Sequence, residues 1–241
     1  MKNSRGVSVI TVTNSDVFIK NILENFSRQK HEKKELILVL NKNSLEKTKY
    51  EKEAKKHSNV RVIKLDEKIS LGQCLNYAVK ISCYNILAKF DDDDYYGPRY
   101  ITDSLKYFKT TDADVIGKRS HLVYFENNKV LAIRNPNHEN KYDSFVNGSS
   151  LIFKKSIFKK IKFANISIAE DTQFCNDCIK KGIKIYSTNR FHHVYIRRSS
   201  KKYHSWKIND KDFLKNSCKV IGQIEDYKNY ADRGSFYEMD N

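Results

Sequence analysis

The sequence contains no apolar run long enough to cross a membrane or to form a signal peptide. Its N-terminus is basic, but the apolar run that follows extends only from Val7 to Val12 and includes Thr11. A transmembrane helix needs about 20 predominantly apolar residues, and the centre of a signal peptide is also longer than this run. We therefore expect a cytoplasmic protein.

The cysteines do not form a disulfide framework. Their number is odd and their spacing is irregular, which indicates a reducing compartment. One C-x-x-C pair falls within a helical pattern, and a second pair at zinc-finger spacing is missing. We interpret the pair as reduced, partly buried thiols rather than as a metal or redox site. The cysteines are Cys74, Cys83, Cys175, Cys178 and Cys218.

Acidic residues are scarce relative to basic ones, with 29 Asp and Glu against 45 Lys and Arg, which gives a net charge of +16. Such a balance suits a nucleic acid, an anionic membrane face or an anionic polymer as partner, although lysines that merely fill solvent-facing helix positions would produce it too. An arginine-rich arm, zinc-finger spacing and RNA-binding aromatic motifs are all missing, which argues against nucleic acid. The charge alone names no partner.

What the sequence does contain is an alternation of short β-branched runs with helical patterns. With 241 residues, of which 39% are hydrophobic, the chain can form one substantial α/β domain with a C-terminal appendage. Apolar runs without alternation are typical of strands that helices cover on both faces, so we predict a mainly parallel sheet. The predicted strands of the first half are Val7 to Val12, Glu35 to Asn41, Val60 to Leu65 and Asn85 to Phe90, and helices are predicted between them.

The second half has a different pattern. Asn127 and Asn128 separate two apolar runs and predict a two-residue hairpin turn. A helix is predicted within Ala169 to Gly182, and a basic, aromatic segment extends from Arg190 to Trp206. After Lys207, apolar residues that include Val220 and Ile221 predict a further helix.

Four consecutive carboxylates, Asp91 to Asp94, follow the fourth predicted strand. Adjacent carboxylates repel one another, so they favour either a bound cation or full solvation in an acidic loop. In open parallel sheets the ligand lies beyond the carboxyl ends of the strands, and this run lies between a buried strand and Pro98, which suits a helix start. Oxygen ligands at such a place suit Mg²⁺ or Mn²⁺. An EF-hand is excluded, because Thr102 stands where its bidentate Glu belongs.

Four segments in this order resemble family 2 glycosyltransferases with the GT-A fold. They are "VSVITVTNSD", "KFDDDDYYGP", "NGSSLIFKKSIF" and "AEDTQF", and the resemblance covers roughly residues 5 to 206. It implies a Rossmann-like, mixed, mainly parallel sheet flanked by helices. It also implies a nucleotide-sugar-binding half (residues 1–98), an acceptor and catalytic half (99–206), and a helical tail (207–241).

The resemblance implies that the aspartate run is the Asp-x-Asp element, which binds the ribose and diphosphate of a nucleotide sugar together with Mn²⁺ or Mg²⁺. Asp91 and Asp93 are then the pair, with Asp93 the main metal ligand and Asp92 an assisting neighbour. His204 is a further candidate for the metal or the phosphate.

A second acidic pair, Glu170 and Asp171, lies near the start of a predicted helix. Taken alone, such a pair is more often a favourable interaction with the helix dipole. Inverting sugar transfer, however, needs a carboxylate that takes the proton from the acceptor hydroxyl. The resemblance implies that Asp171 is this base and that Glu170 positions it or the acceptor.

The resemblance assigns the remaining candidates by position. Thr11, Thr13 and Asn41 would hold the nucleoside, and Arg198 would contact the diphosphate, because guanidinium donors match phosphate oxygens. The chain departs from the family at Asn41, where relatives have Asp. It also departs in the segment after the third strand, where relatives often have Asn and Arg residues and this chain keeps only Asn76. The nucleobase is therefore left open. Ser149 and Trp206 are the acceptor-side candidates.

We therefore expect an inverting, metal-dependent glycosyltransferase that uses a nucleotide diphosphate sugar, with a UDP-sugar favoured, and a glycan or cell-envelope acceptor, as in the cell-surface and spore-surface members of the family. A peripheral contact with the inner membrane face would agree with the basic surface. Two alternatives stay open: a sugar nucleotidyltransferase, whose glycine-rich basic loop is missing after the first strand, and a non-catalytic basic module that binds an anionic polymer.

Overall fold

The computed structural model describes residues 6–200 and 208–233 of the chain. The strands are β1 Val7–Thr13, β2 Lys34–Leu40, β3 Val60–Lys64, β4 Ile86–Lys89, β5 Tyr95–Tyr96, β6 Val115–Gly117, β7 His121–Phe125, β8 Val130–Arg134, β9 Lys141–Tyr142, β10 Ile152–Lys154, β11 Ile185–Ser187, β12 His193–Arg197 and β13 Cys218–Gln223. The α-helices are α1 Ile19–Ser27, α2 Lys47–Ala54, α3 Leu71–Ile81, α4 Tyr100–Thr110, α5 Glu170–Lys180, α6 Asp210–Ser217 and α7 Tyr227–Asp232.

The main sheet is mixed and mostly parallel, in the order β3-β2-β1-β4-β10-β6-β11-β9. Its first four strands are parallel. Strand β10 is antiparallel to both β4 and β6, and β11 is again parallel to β6. The predicted α/β fold with helices flanking a mainly parallel sheet is therefore confirmed.

Strand β2 shows why the first half forms this layered structure. Alternate side chains of a strand point to opposite faces. Leu36 and Leu38 belong to the apolar core that includes residues of α1 and α2, whereas Ile37 and Val39 belong to the core that includes residues of α3 and α5. All are fully buried, so both faces of the sheet are covered.

A second, smaller sheet has the order β13-β8-β7-β12-β5. Strand β5 follows the aspartate run directly and pairs with β12, where His193 lies opposite Tyr96. The run Asp91 to Asp94 is therefore held between β4 of the main sheet and β5 of the second sheet. This position brings residues of β12 close to the carboxyl end of β4.

The prediction of a two-residue hairpin turn at Asn127 and Asn128 is wrong. Phe125 pairs with Val130, so the hairpin loop contains the four residues between them rather than two. Lys129 takes the left-handed φ of 53° that closes this longer loop.

The helix predicted after Lys207 is also wrong in part. Asp210–Ser217 and Tyr227–Asp232 are helical, but Cys218–Gln223 is a strand that pairs antiparallel with β8. The apolar residues of this segment complete the edge of the second sheet instead of one face of a helix. In the described ranges, before and after residues 201–207, no helix is long and apolar enough to cross a membrane.

His192 attaches the last described helix to the rest of the fold. It is 2% exposed, and its ring nitrogens lie 2.8 Å from Asp103 Oδ2 of α4 and 3.3 Å from Asp232 Oδ1 of α7. Burial alone would lower the pKa of His192, but the hydrogen bonds to Asp103 and Asp232 outweigh it and raise the pKa above its usual value. The protonated ring therefore holds two carboxylates from different helices.

We predict that His192→Asn destabilises the protein more at low pH than at high pH. A raised folded-state pKa contributes stability that is fully present below the unfolded pKa, about 6.5, and is lost as the pH rises through the folded pKa. Asparagine tolerates the left-handed φ of 64° at this position, so the backbone is not strained by the change. In denaturant unfolding, the variant's loss of free energy of unfolding relative to the wild type should be larger by about 1 kcal/mol at about pH 5.5 than at about pH 9. An equal loss at both pH values would contradict the ion pairs.

Candidate active site

The aspartate run forms a sharp turn at the carboxyl end of β4. The backbone N–H of Asp91 donates to the Tyr96 hydroxyl at 2.7 Å, and that hydroxyl donates to the carbonyl of Ser149 at 2.6 Å. The ring of Tyr96 stacks on Phe90 with centroids 3.8 Å apart. Buried Tyr96 therefore stabilises the turn and connects it to the segment before β10.

Two asparagines of α1 hold the outer side of the turn. The Asn21 amide donates to the carbonyls of Asp92 at 2.7 Å and Asp94 at 2.9 Å, and the Asn25 amide donates to the carbonyl of Asp94 at 2.8 Å. Sequence reasoning missed both residues. The available signal was a pair of amides one helical turn apart within the predicted apolar helix, where polar side chains need buried partners.

Asp94 differs from the other three aspartates because its side chain is completely buried. Its Oδ1 accepts from the backbone N–H of Ile196 at 3.0 Å, and its Oδ2 lies 3.4 Å from Nε2 of His193. Both partners belong to β12. Asp94 therefore joins the turn to the second sheet.

Burial and mutual repulsion raise the pKa values of the other three carboxyl groups. Burial is the largest cause in each case: the pKa of Asp91 is raised, that of Asp92 is raised to about 6, and that of Asp93 is raised well above its usual value. Neighbouring aspartates add to the effect at all three positions. A divalent cation would remove this repulsion, and its preferred oxygen ligands are the atoms present here.

The carboxylates of the aspartate run suit a cation that is bound partly by the protein and partly by phosphate oxygens of a substrate. Within residues 6–200 and 208–233, no three His, Cys, Asp or Glu side chains converge as a ready-made metal site. Magnesium is usually held by one or two carboxylates together with phosphate oxygens of the substrate, rather than by a complete cage of protein ligands. Asp93 and Asp91 can supply that smaller share.

Lys89 connects the aspartate run to the second acidic pair. This last residue of β4 is 5% exposed; its Nζ forms an ion pair with Asp91 Oδ1 and lies 4.0 Å from Glu170 Oε1. Burial alone would lower the pKa of Lys89, but Asp91 and Glu170 raise it, so the side chain stays charged. Sequence reasoning missed Lys89. The available signal was a lysine in the last position of an otherwise apolar, buried strand.

Glu170 and Asp171 begin α5, where the helix dipole favours negative charge. Ala169, just before the helix, has a left-handed φ of 61°, which costs about 1 kcal/mol for a residue other than glycine. Burial raises the pKa of Glu170 to about 6. Asp171 is half-buried, and its Oδ1 accepts from the N–H of Thr172 at 2.7 Å. Its Oδ2 packs so closely on Gly148 that a Cβ there would lie 2.2 Å away.

The predicted nucleoside residues lie at the same edge of the sheet. Thr11 and Thr13 of β1 are buried, and the Thr13 hydroxyl is 2.5 Å from Asp92 Oδ2. The Asn41 amide follows β2 and donates to the carbonyls of Asp66 at 2.9 Å and Ile69 at 3.1 Å. Thr13 is thus brought to the aspartate run, whereas the Asn41 amide group holds the loop before α3.

Two other candidates have their side chains engaged within the fold. The Asn76 amide donates to the carbonyl of Phe163 at 2.9 Å and its oxygen accepts the N–H of the same residue at 3.0 Å. The Ser149 hydroxyl is 3% exposed and lies 3.0 Å from His193 Nε2. Asn76 thus joins α3 to the segment before α5, and Ser149 joins the segment before β10 to the ring of His193, which itself lies 3.4 Å from Asp94 Oδ2.

Arg198 lies beside the aspartate run. Its guanidinium donates to the carbonyl of Asp93 and to Glu126 Oε1 at 3.2 Å, and it covers the ring of Phe18 at 5.5 Å. The predictions for His204 and Trp206 lie outside the described residues. The structure thus brings together Thr13, Asp91 to Asp93 and Arg198, and it connects them to Glu170 through Lys89.

Comparison with known proteins gives one family match and many matching folds. The sequence profile described as Glycosyl transferase family 2 matches residues 8–165. No match is found among curated proteins.

Two solved structures illustrate the shared fold. S. aureus TarS 1–349 in complex with UDP-GlcNAc has a TM-score of 0.66 and 18% identity, over 87% of this chain and 63% of that one. The mannosyltransferase PcManGT from Pyrobaculum calidifontis in complex with GDP-Man and Mn²⁺ has a TM-score of 0.61 and 14% identity, over 84% of this chain and 59% of that one. The chain spans about three fifths of the length of these proteins.

The family match covers more than half of the chain. It includes β1, the aspartate run and the turn at Gly148–Ser150, and it ends before Glu170. The mixed sheet, with its acidic turn at the carboxyl end of β4, agrees with this assignment. The chain belongs to glycosyl transferase family 2.

Proposed function

We propose that this protein is an inverting, metal-dependent glycosyltransferase that transfers a sugar from a nucleotide diphosphate sugar to a hydroxyl group of a glycan or cell-envelope acceptor. The observation that carries the proposal is Lys89, whose ammonium group contacts Asp91 and lies 4.0 Å from Glu170. It sets the residues suited to a metal and diphosphate next to the residues suited to proton transfer. Family membership supports the same reaction class.

On the donor side, Asp93 and Asp91 would hold Mn²⁺ or Mg²⁺, and Asp92 with Thr13 would assist at the ribose. A bound divalent cation offsets the negative charge that develops on the leaving diphosphate. Arg198 lies against the Asp93 carbonyl and adds a fixed positive charge at the same place. His204 remains a proposed further contact, and Thr11 and Asn41 remain proposed contacts of the nucleoside.

On the acceptor side, Asp171 is the proposed base. The acceptor oxygen attacks the anomeric carbon from the face opposite the diphosphate, and its proton passes to the Asp171 carboxylate. The bond between the anomeric carbon and the diphosphate oxygen breaks, and the diphosphate leaves with the electron pair. The configuration at the anomeric carbon is therefore inverted. Glu170, held near Lys89, positions this carboxylate, while Trp206 remains a proposed acceptor contact.

UDP is the proposed nucleotide, although the solved relatives include one bound to UDP-GlcNAc and one bound to GDP-Man. We propose residues 1–98 as the donor half and residues 99–206 as the acceptor half of the catalytic domain. A cytoplasmic location is also proposed; the five cysteines, odd in number and all free, fit a reducing compartment.

The test is release of a nucleoside diphosphate. The purified protein should be incubated with UDP-GlcNAc, UDP-glucose, GDP-mannose and other nucleotide sugars, each with Mn²⁺, with Mg²⁺ or with EDTA. We expect release from one donor class that depends on the metal. Pyrophosphate release from a nucleoside triphosphate and a sugar phosphate would instead identify a nucleotidyltransferase. Salt-sensitive polymer binding without affinity for any nucleotide would support the non-catalytic module.

A further inference from the structure

A large cavity lies at the edge of the main sheet opposite to the aspartate run. Its volume is about 1110 Å³, and its lining includes Gly6, just before β1, and Ile86, the first residue of β4. The parallel strands β1 and β4 therefore present their amino ends to it. Asp91 lies five residues after Ile86, roughly 17 Å away along an extended chain. The cavity and the candidate active site are thus separate.

The cavity is lined by positive charge without any carboxylate. Two of its five lysines are engaged, because Lys154 pairs with Asp114 at 2.9 Å and Lys155 donates to the carbonyl of Ser82 at 2.7 Å. The other three are exposed and form no ion pair within the part of the chain that the structure describes. The five lysines are Lys80, Lys154, Lys155, Lys159 and Lys162.

The remaining wall of the cavity is largely apolar. Tyr77 is 40% exposed and lines the cavity, so its ring is open to contact from a ligand there. Behind it lie buried aliphatic groups and an aromatic ring of the segment after β10. A free phosphate ion would use only the lysines, and it would leave this wall in water. The apolar lining is formed by Tyr77, Val79, Tyr84, Ile86 and Phe158.

We propose that this cavity binds an anionic phospholipid and holds the protein at an anionic membrane surface. Lys80, Lys159 and Lys162 contact the lipid phosphate, and the apolar wall at Tyr77 and Phe158 receives the glycerol and the first methylene groups. Charge complementarity selects the ligand, since three lysines that form no ion pair among the described residues line the same cavity, and its lining contains no acidic side chain. The inference does not depend on the proposed catalytic activity, because the aspartates lie at the other edge of the sheet.

The test is co-sedimentation with vesicles of phosphatidylglycerol and phosphatidylcholine, compared with vesicles of phosphatidylcholine alone. The triple variant Lys80→Gln, Lys159→Gln, Lys162→Gln should bind the anionic vesicles about 10- to 100-fold more weakly than the wild type. The matched control is Lys42→Gln, Lys49→Gln, Lys52→Gln, which removes three exposed lysines near or on α2 and changes the net charge equally. The control should lose no more than about 3-fold, and Tyr77→Ser alone should weaken binding measurably.

Equal losses in the two triple variants, or no binding of the wild type to anionic vesicles, would overturn the proposal. Unchanged binding by Tyr77→Ser would also count against it, because the apolar wall would then have no part. Release of the protein from vesicles by millimolar inorganic phosphate or UDP would identify a soluble phosphate compound as the occupant instead of a lipid. Far-UV circular dichroism and the midpoint of denaturant unfolding should be the same in both triple variants as in the wild type, which shows that they are folded.

Discussion

Asp93→Asn is expected to abolish metal-dependent turnover while making the folded protein more stable. Turnover and metal-dependent nucleotide affinity should each fall by at least about 10²-fold, because the proposed main carboxylate ligand of the cation is lost. The free energy of unfolding should rise by about 1 kcal/mol or more at about pH 8. Nucleoside diphosphate release, calorimetry with Mn²⁺ and the nucleotide, and denaturant unfolding measure the three effects.

The stability gain follows from the raised pKa of Asp93. Burial is the largest cause, and the charges of Asp94, Asp92 and Asp91 add to it. A folded-state pKa above the unfolded value means that the ionised carboxylate destabilises the fold at high pH, and that this penalty disappears as the pH falls below the unfolded pKa, about 3.9. The gain from Asp93→Asn should therefore shrink as the pH is lowered. Stored repulsion of this kind is typical of sites that are built for a charged ligand.

Asp112→Asn is a matched control for this variant. Asp112 is an exposed aspartate that pairs with Lys184 on the surface, so its loss should change turnover by less than about 2-fold and leave the midpoint of denaturant unfolding nearly unchanged. If Asp93→Asn kept normal metal-dependent turnover, the metal assignment would be wrong. If Asp93→Asn lowered the free energy of unfolding instead, the Asp93 carboxylate would have a stabilising partner within the fold, and the argument from repulsion would be wrong.

The first half of the fold could be predicted from the sequence because its strands are nearly continuous apolar runs. Val7 to Val12 and Glu35 to Asn41 are covered on both faces, and burial on both faces removes the alternation that a half-exposed strand would show. The position of the aspartate run at the carboxyl end of β4 was also predictable, since it follows such a strand. Its place at the sheet edge then depends on topology alone.

The contacts that shape the site could not be predicted, because they join segments that are distant in sequence. Asn21 and Asn25 hold carbonyl groups of residues about 70 positions later, and a helical pattern does not indicate which backbone groups its amides will meet. Lys89 belongs to β4 as the sequence predicts, but the pattern of the strand does not indicate that its side chain lies between Asp91 and Glu170. A buried charge is tolerated only when its partners are in place, and those partners come from separate elements.

The C-terminal segment shows a second limit. Val220 and Ile221 fit a helical pattern with Phe213 and Leu214, but the segment pairs with the free edge of β8. An unpaired edge strand exposes backbone groups that need partners, and a single sequence window does not reveal that such an edge exists. The partners of Asn76 and Ser149 were equally hidden from the sequence, since Phe163 and His193 lie 87 and 44 residues away.

Asp171→Asn is expected to lower turnover by about 10²- to 10⁴-fold with little change in donor affinity. The variant keeps the shape of the side chain, and its amide oxygen can still accept the Thr172 N–H, which Asp171 Oδ1 accepts at 2.7 Å. The amide cannot accept the proton of the acceptor hydroxyl, so the chemical step should fail while the donor binds within about 3-fold of normal. Single-turnover measurements and nucleotide-sugar titration separate the two effects.

Glu170→Gln, with Asp177→Asn as a control, tests which carboxylate at the start of α5 is the base. Asp177→Asn changes an aspartate of the same helix that accepts from Gln173 at 2.8 Å, and it should leave turnover within about 2-fold of normal. Glu170→Gln should reduce turnover less than Asp171→Asn, because Glu170 lies buried beside Lys89 and its proposed role is to position Asp171. The pKa of Glu170, raised by burial to about 6, would itself suit a general base. If Glu170→Gln abolished turnover while Asp171→Asn retained it, Glu170 would be the base and Asp171 the residue that packs on Gly148 to position it.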